Sequence, residues 1–187
     1  MFRSPPVDKC SYLVLSLVIF LPFGVSLAGE AVPLSEHPRP DFEREDWLNL
    51  NGHWSFRFDT ENTGEKEAWH EGAVDFPDRI LVPFSWGSTL SGVEDRGDIG
   101  WYKREILIPD SWKDKRIYLV VGACDWHTSA WLDGRKLGDH RGGYTPFEFE
   151  MTSQSRPGQK HTLVLRVDDR SRSFKLEGKQ DDEPEQT

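Results

Sequence analysis

The chain has 187 residues, 36% apolar and 29% charged, which suits one globular domain with a packed core. Its formal net charge is −9, which argues against a nucleic-acid or anionic-membrane partner, because both reward a Lys/Arg surplus. A neutral carbohydrate is indifferent to that sign.

The first 28 residues have the form of an export signal. Arg3 and Lys9 make a positive start, Tyr12 to Phe23 form an apolar run, and Pro22 and Gly24 break it. Ser26-Leu27-Ala28 then puts small residues where a signal peptidase cuts. The run is shorter than the roughly 20 apolar residues that span a bilayer. The expectation is therefore a cleaved signal helix, an exported protein (periplasmic or secreted), and no membrane association afterwards; an uncleaved anchor is the alternative. Cys10 would leave with the signal, so Cys124 stands alone and no disulfide framework is expected. Its place in Leu119-Val120-Val121-Gly122-Ala123-Cys124 reads as a small buried hydrophobe rather than a nucleophile.

Pro33, Pro38 and Pro40 mark an extended lead-in over 29–40. Asp41-Phe42-Glu43-Arg44 and Trp47-Leu48-Asn49-Leu50 suggest a helical turn. Asn51-Gly52 signals a turn before a strand, His53 to Phe58, with Trp54, Phe56 and Phe58 on one face. Asp59 to Pro77 reads as a long polar connection docked by Trp69. Ile80-Leu81-Val82 is a short strand, and Phe84 to Gly100, with four glycines, is a long loop of the kind that is often functional. Strand patterns return at Trp101–Ile108, Arg116–Val121, His127–Leu132, Lys136–Gly138, Phe147–Phe149 and Thr162–Val167, with Asp133-Gly134 as a hairpin turn. About eight short strands without a covering helix predict an all-β, two-sheet antiparallel sandwich over 41–176. The acidic tail, 177–187, has no large apolar residue, and disorder is expected there.

Few constellations in this pattern support catalysis. Glu94, Asp95 and Asp98 lack the alternate spacing of a calcium loop, and the six histidines show no metal-ligand spacing. Neither a metal nor a cofactor is therefore expected. Asp168 and Asp169 are adjacent in a strand and point to opposite faces, so they cannot act together as an acid/base pair. The eight tryptophans favour binding, since exposed rings stack on the apolar faces of sugars. Trp54, Trp101 and Trp131 lie in strand patterns and belong to the core. Trp86 and Trp126, flanked by turn residues, are the candidates for exposure.

An ordered set of segments resembles the amino-terminal sugar-binding domain of family 2 glycoside hydrolases, the β-galactosidase and β-glucuronidase group. It runs from Arg39-Pro40 through Leu50-Asn51-Gly52-His53-Trp54-Ser55-Phe56, Val82-Pro83-Phe84-Ser85-Trp86 and Gly100-Trp101-Tyr102-Lys103-Arg104. Ile108-Pro109, Trp112, Val121-Gly122-Ala123-Cys124-Asp125-Trp126 and Ala130-Trp131-Leu132-Asp133-Gly134 follow. His140-Arg141-Gly142-Gly143-Tyr144-Thr145-Pro146-Phe147-Glu148-Phe149 is the closest piece, and Leu165-Arg166-Val167-Asp168-Asp169 ends the match.

The resemblance implies a jelly-roll, galactose-binding-like sandwich. In complete members an immunoglobulin-like domain follows it, and then a barrel whose two glutamates perform retaining hydrolysis. A barrel alone needs about 250 residues, so the expectation is a truncated β-galactosidase-like glycosidase that binds a β-glycoside but does not cleave it unaided. The alternatives are a free-standing extracellular carbohydrate-binding module and a docking subunit for a separate catalytic chain. By resemblance, Asp169, Lys179 and Gln180 lie where the family lends polar residues to the active-site rim. The acidic run after Gln180 departs from the family pattern.

Overall fold

The computed structural model describes residues 32–37 and 45–170, all within a unit spanning Ala31–Thr187. The expected signal helix, the 41–44 half of the expected helical turn, and Lys179 and Gln180 lie outside the described residues. Eight strands form among the described residues, in agreement with the sequence pattern: β1 (Gly52–Phe58), β2 (Asp78–Val82), β3 (Ile99–Leu107), β4 (Tyr118–Val121), β5 (His127–Leu132), β6 (Arg135–Arg141), β7 (Phe147–Glu150) and β8 (Lys160–Asp168). The larger sheet has the order β2-β1-β3-β8-β5-β6, and β4-β7 form the smaller one. All pairings are antiparallel. The described helical structure is confined to short 3₁₀ turns at Trp69–Glu71, Thr89–Ser91 and Asp110–Trp112.

Strand alternation explains the core. Trp54 and Phe56 of β1, Ile80 of β2, Ile106 of β3, Leu132 of β5 and Leu163 of β8 face Leu119, Phe147 and Phe149 of the small sheet. Phe58 packs on the same cluster, so the Trp54-Phe56-Phe58 stripe lies on one face as the pattern required. The β5–β6 hairpin turns at Asp133 and Gly134, whose φ values of 48° and 76° suit the primed turn that Asp-Gly favours. His161 secures this corner from β8: its Nδ1 lies 2.6 Å from the Asp133 carboxylate, and its Nε2 accepts a bond from Arg156 N–H at 2.9 Å.

A second core lies on the opposite face of the large sheet, where Trp101, Trp131, Ile99 and Val164 are covered by Trp69 and Phe76 of the 59–77 connection. Trp101 stacks on Trp131 with ring centroids 5.4 Å apart, and Trp69 meets Trp101 edge-on at 5.8 Å. Trp69 therefore docks this connection, as the sequence suggested. Asp59 is its anchor. The buried Asp59 carboxylate accepts bonds from Thr63 N–H (2.8 Å), Gly64 N–H (3.0 Å) and the Trp101 indole N–H (3.0 Å). A side chain at residue 64 would meet both the carboxylate and the Trp101 ring at 2.8 Å, so the close approach requires glycine.

Residues 47–50 form no helical turn, which corrects the expectation for that half of the segment. The reason lies in the backbone acceptors. Leu50 C=O receives both the Trp54 indole N–H (2.8 Å) and Arg104 (2.6 Å), and Asn51 C=O receives Arg104 at 3.0 Å. The Asn49 side chain meanwhile accepts Asn51 N–H at 2.8 Å, an Asx turn that competes with helix.

Replacing Asp59 by Ala strands three N–H donors, two of them buried. Stability should fall by about 3 kcal/mol in urea denaturation followed by tryptophan fluorescence. A loss well under 1 kcal/mol would show that Asp59 does not anchor the connection.

Candidate functional site

One end of the sandwich gathers the ends of β1, β8, β4 and β6 and the beginnings of β3, β5 and β7. At its floor is Tyr102 of β3. Its neighbour Trp101 belongs to the second core, and alternation turns Tyr102 toward the first. Burial pushes the Tyr102 phenol well above its usual pKa, and the nearby Cys124 and Asp169 push it further the same way. The phenol is therefore a neutral hydrogen-bonding group at any physiological pH. Burial likewise raises the Cys124 thiol, with the Thr128 hydroxyl opposing and the Asp125 and Asp169 charges adding to the rise. This thiol is not a nucleophile, as its apolar sequence context indicated.

Trp86 reaches the rim from the segment after β2, which begins with a cis Val82–Pro83 peptide. Its ring packs against Phe56 (5.9 Å), Phe58 (5.8 Å) and Tyr102 (6.1 Å). Gly100 leaves the space: a Cβ there would sit 2.7 Å from the Trp86 ring. The loop behind it is more ordered than an open Phe84–Gly100 loop, because Ser91 Oγ donates to Ser88 C=O and accepts from Val93 N–H. Trp126 follows the exposed Asp125 through a cis peptide, and its carbonyl accepts Gly142 N–H at 2.8 Å. Both tryptophans are half-buried.

Asp169 hydrogen-bonds through its backbone N–H to Asp98 C=O at 2.7 Å, which ties β8 to the start of β3. The structure thus brings Trp86 and Asp169 close to Tyr102, and Trp126, at the entry into β5, to the same end of the sandwich. Two surface depressions, of about 340 Å³ beside Trp112, Lys113 and Thr152 and about 420 Å³ beside His53, Arg79 and Lys103, include none of these residues.

Asp168 and Asp169 diverge to opposite faces, as adjacent strand residues must. Asp168 lies on the outer face of the large sheet, paired with Arg166 (3.1 Å) and, through one guanidinium edge, with Nε and Nη2 of Arg170 (2.8 Å each). Burial alone would raise its pKa, but these arginines outweigh burial and hold the carboxyl below its ordinary range. Next to it on β5 is His127, whose pKa is lowered by burial first and then by the Arg141 and Arg166 charges, against Asp139 and Asp168. Ser129 donates to Asp139 at 2.5 Å, and Lys136 pairs with Asp139 at 2.8 Å. This outer-face network, like Tyr102, was not singled out in the sequence. The signal was present: Asp168, Arg166, His127 and Ser129 all alternate with core residues in strand patterns.

A family model described as glycosyl hydrolases family 2, sugar binding domain, matches residues 88–182, just over half of the chain. The chain belongs to this family of sugar-binding domains. The β-glucuronidase of Paenibacillus borealis is 31% identical over 121 residues, covering 64% of this chain and 20% of that protein. That of Bacteroides fragilis is 29% identical over 128 residues, 67% of this chain and 17% of the relative. Among solved structures, the Ruminococcus gnavus β-glucuronidase in complex with uronic deoxynojirimycin superposes with a TM-score of 0.59 at 28% identity, covering 64% of this chain and 21% of that one. The complex of the same enzyme with D-glucuronic acid gives 0.56 at 27% identity, with the same coverage. The sugar-binding domain therefore spans about a fifth of the length of the curated relatives it matches. All-β architecture and family agree.

The depressed His127 pKa has a sign that can be checked. The unfolded chain takes up a proton near pH 6.5, whereas the folded state resists it, so stability should decline as pH falls through about 6.5 toward 5. Replacing His127 by Gln should flatten that part of the stability–pH curve. An unchanged curve would contradict the assigned shift.

Proposed function

We propose that this chain holds a β-linked glycoside at the rim around Tyr102, as the carbohydrate-binding part of a β-glycosidase, and does not itself break the glycosidic bond. The observation that carries this reading is the convergence of Trp86, Trp126 and Asp169 on one end of a family 2 sugar-binding domain. Half-buried indole rings stack on a sugar's apolar face, while the Asp169 carboxylate and the neutral Tyr102 phenol bond its hydroxyls. Lys179 and Gln180 are assigned to the same ligand by family resemblance.

Retaining hydrolysis uses two carboxyl groups about 5 Å apart, and Asp168 and Asp169 leave their strand on opposite faces. In this reading, bond cleavage belongs to immunoglobulin-like and barrel partner domains, and the domain acts outside the cytoplasm. The relatives named above are β-glucuronidases, which supports a β-glucuronide over the galactoside that the family resemblance alone would also allow.

Calorimetry of the chain with methyl β-D-glucuronide should show binding. Replacing Trp126 by Ala should weaken it about fivefold, with an unaltered melting temperature. The chain alone should release no nitrophenol from 4-nitrophenyl β-D-glucuronide. Enzymatic release, or the absence of any binding heat, would overturn the proposal.

A further inference from the structure

The aromatic rim has a charged neighbour that no contact within the sandwich explains. Arg96 is exposed and makes no hydrogen bond or ion pair among the described residues. Yet Glu94, Asp95 and Asp98 all stand within two residues of it in the chain. Its side chain lies instead along Gly87, the residue that follows Trp86. A Cβ at position 87 would stand 3.1 Å from Arg96 Cγ and 3.2 Å from Arg96 Nε. On the other side of Arg96, a Cβ on Gly97 would run into the Phe58 ring. Phe58 in turn meets Trp86 edge-on, with ring centroids 5.8 Å apart. Two glycines therefore bring Arg96 down beside Trp86.

The loop holds this placement. Gly87 has a φ of 76°, which glycine adopts without strain, and its N–H donates to Val93 C=O at 2.8 Å. Beyond Arg96, the bond from Asp169 N–H to Asp98 C=O ties the segment to the exit of β8. A guanidinium positioned before any ligand arrives loses less freedom when it binds one.

Charge decides what it grips. A guanidinium only donates, so its partner must offer acceptor oxygens, which both a sugar hydroxyl and a carboxylate do. Glu94, Asp95 and Asp98 outnumber Arg96, and Asp169 is joined to the same segment. That field repels an incoming carboxylate and is indifferent to neutral hydroxyls. We propose that Arg96 is a further binding residue of the rim, its guanidinium donating to ring hydroxyl oxygens of the sugar stacked on Trp86. Its contribution is the same for a neutral and an acidic sugar. The assignment rests on the rim reading above, and it complements Asp169, whose carboxylate only accepts.

The test uses the full chain with methyl β-D-glucoside and methyl β-D-glucuronide. Arg96→Gln should weaken both about tenfold in calorimetry, with an unaltered melting temperature. In the wild-type chain, the Arg96 Nε–H NMR signal, assigned by its loss in Arg96→Gln, should shift as either glycoside saturates. Binding that survives Arg96→Gln unchanged, or that leaves the wild-type Nε–H signal unmoved, would overturn the contact and leave the Trp86 rim standing. A loss confined to the glucuronide would overturn it as well, because the guanidinium would then serve the carboxylate. If neither glycoside binds the wild-type chain, the rim reading itself fails and this contact fails with it.

Discussion

The Asp59 carboxylate, buried against the Trp101 indole and two loop N–H groups, is the contact on which the rest of the sandwich depends. Burying an ionised carboxylate is costly unless its oxygens are fully bonded, and here three donors converge on it from one loop and one strand. The gain is geometric. By fixing the start of the 59–77 connection, Asp59 lets Trp69 and Phe76 close over Trp101, Trp131 and Val164. A six-stranded sheet that would otherwise show two tryptophans to water becomes buried on both faces over its central strands.

That double burial positions the functional end. β3, β8 and β5 are packed from above by the small sheet and from below by the connection, so their ends are held at fixed relative positions. Tyr102 is stationed by β3, Asp169 by the exit of β8, and Trp126 by the entry into β5. The backbone bond from Asp169 N–H to Asp98 C=O closes the rim between two of these strands. Alternation then separates two kinds of chemistry by one residue. Asp169 faces the aromatic rim, and Asp168 faces the arginines of the outer sheet. A neutral hydroxyl-bearing ring suits the first surface.

Much of this was legible in the sequence for identifiable reasons. The Trp54-Phe56-Phe58 alternation and the Asp133-Gly134 turn each encode a local geometry that tertiary context reinforced. Trp69 was readable as the dock of its loop because a lone tryptophan in a polar segment has few other roles. The structure lacks the expected helical turn at 47–50 because the carbonyls of Leu50 and Asn51 at its end are taken by Arg104 and Trp54, partners that are distant or lie in the following strand. Pattern within the segment carries no trace of them. Tyr102 was overlooked since a Trp-Tyr pair in a strand looks like core, and only the three-dimensional proximity of Cys124 and Asp169 shows that its hydroxyl end lies at a rim. The arginine network was hidden for a related reason: Arg141, His127 and Asp168 are far apart in the chain and are joined only by strand register.

The most direct measurement of where a glycoside sits is chemical-shift mapping of the isotope-labelled chain with a neutral methyl β-glycoside, read at the indole N–H resonances of all the tryptophans. The account predicts perturbation of Trp86 and Trp126, with Trp54, Trp69, Trp101 and Trp131 unmoved in their two cores. Perturbation centred instead on Trp112, beside the depression lined by Lys113 and Thr152, would contradict it.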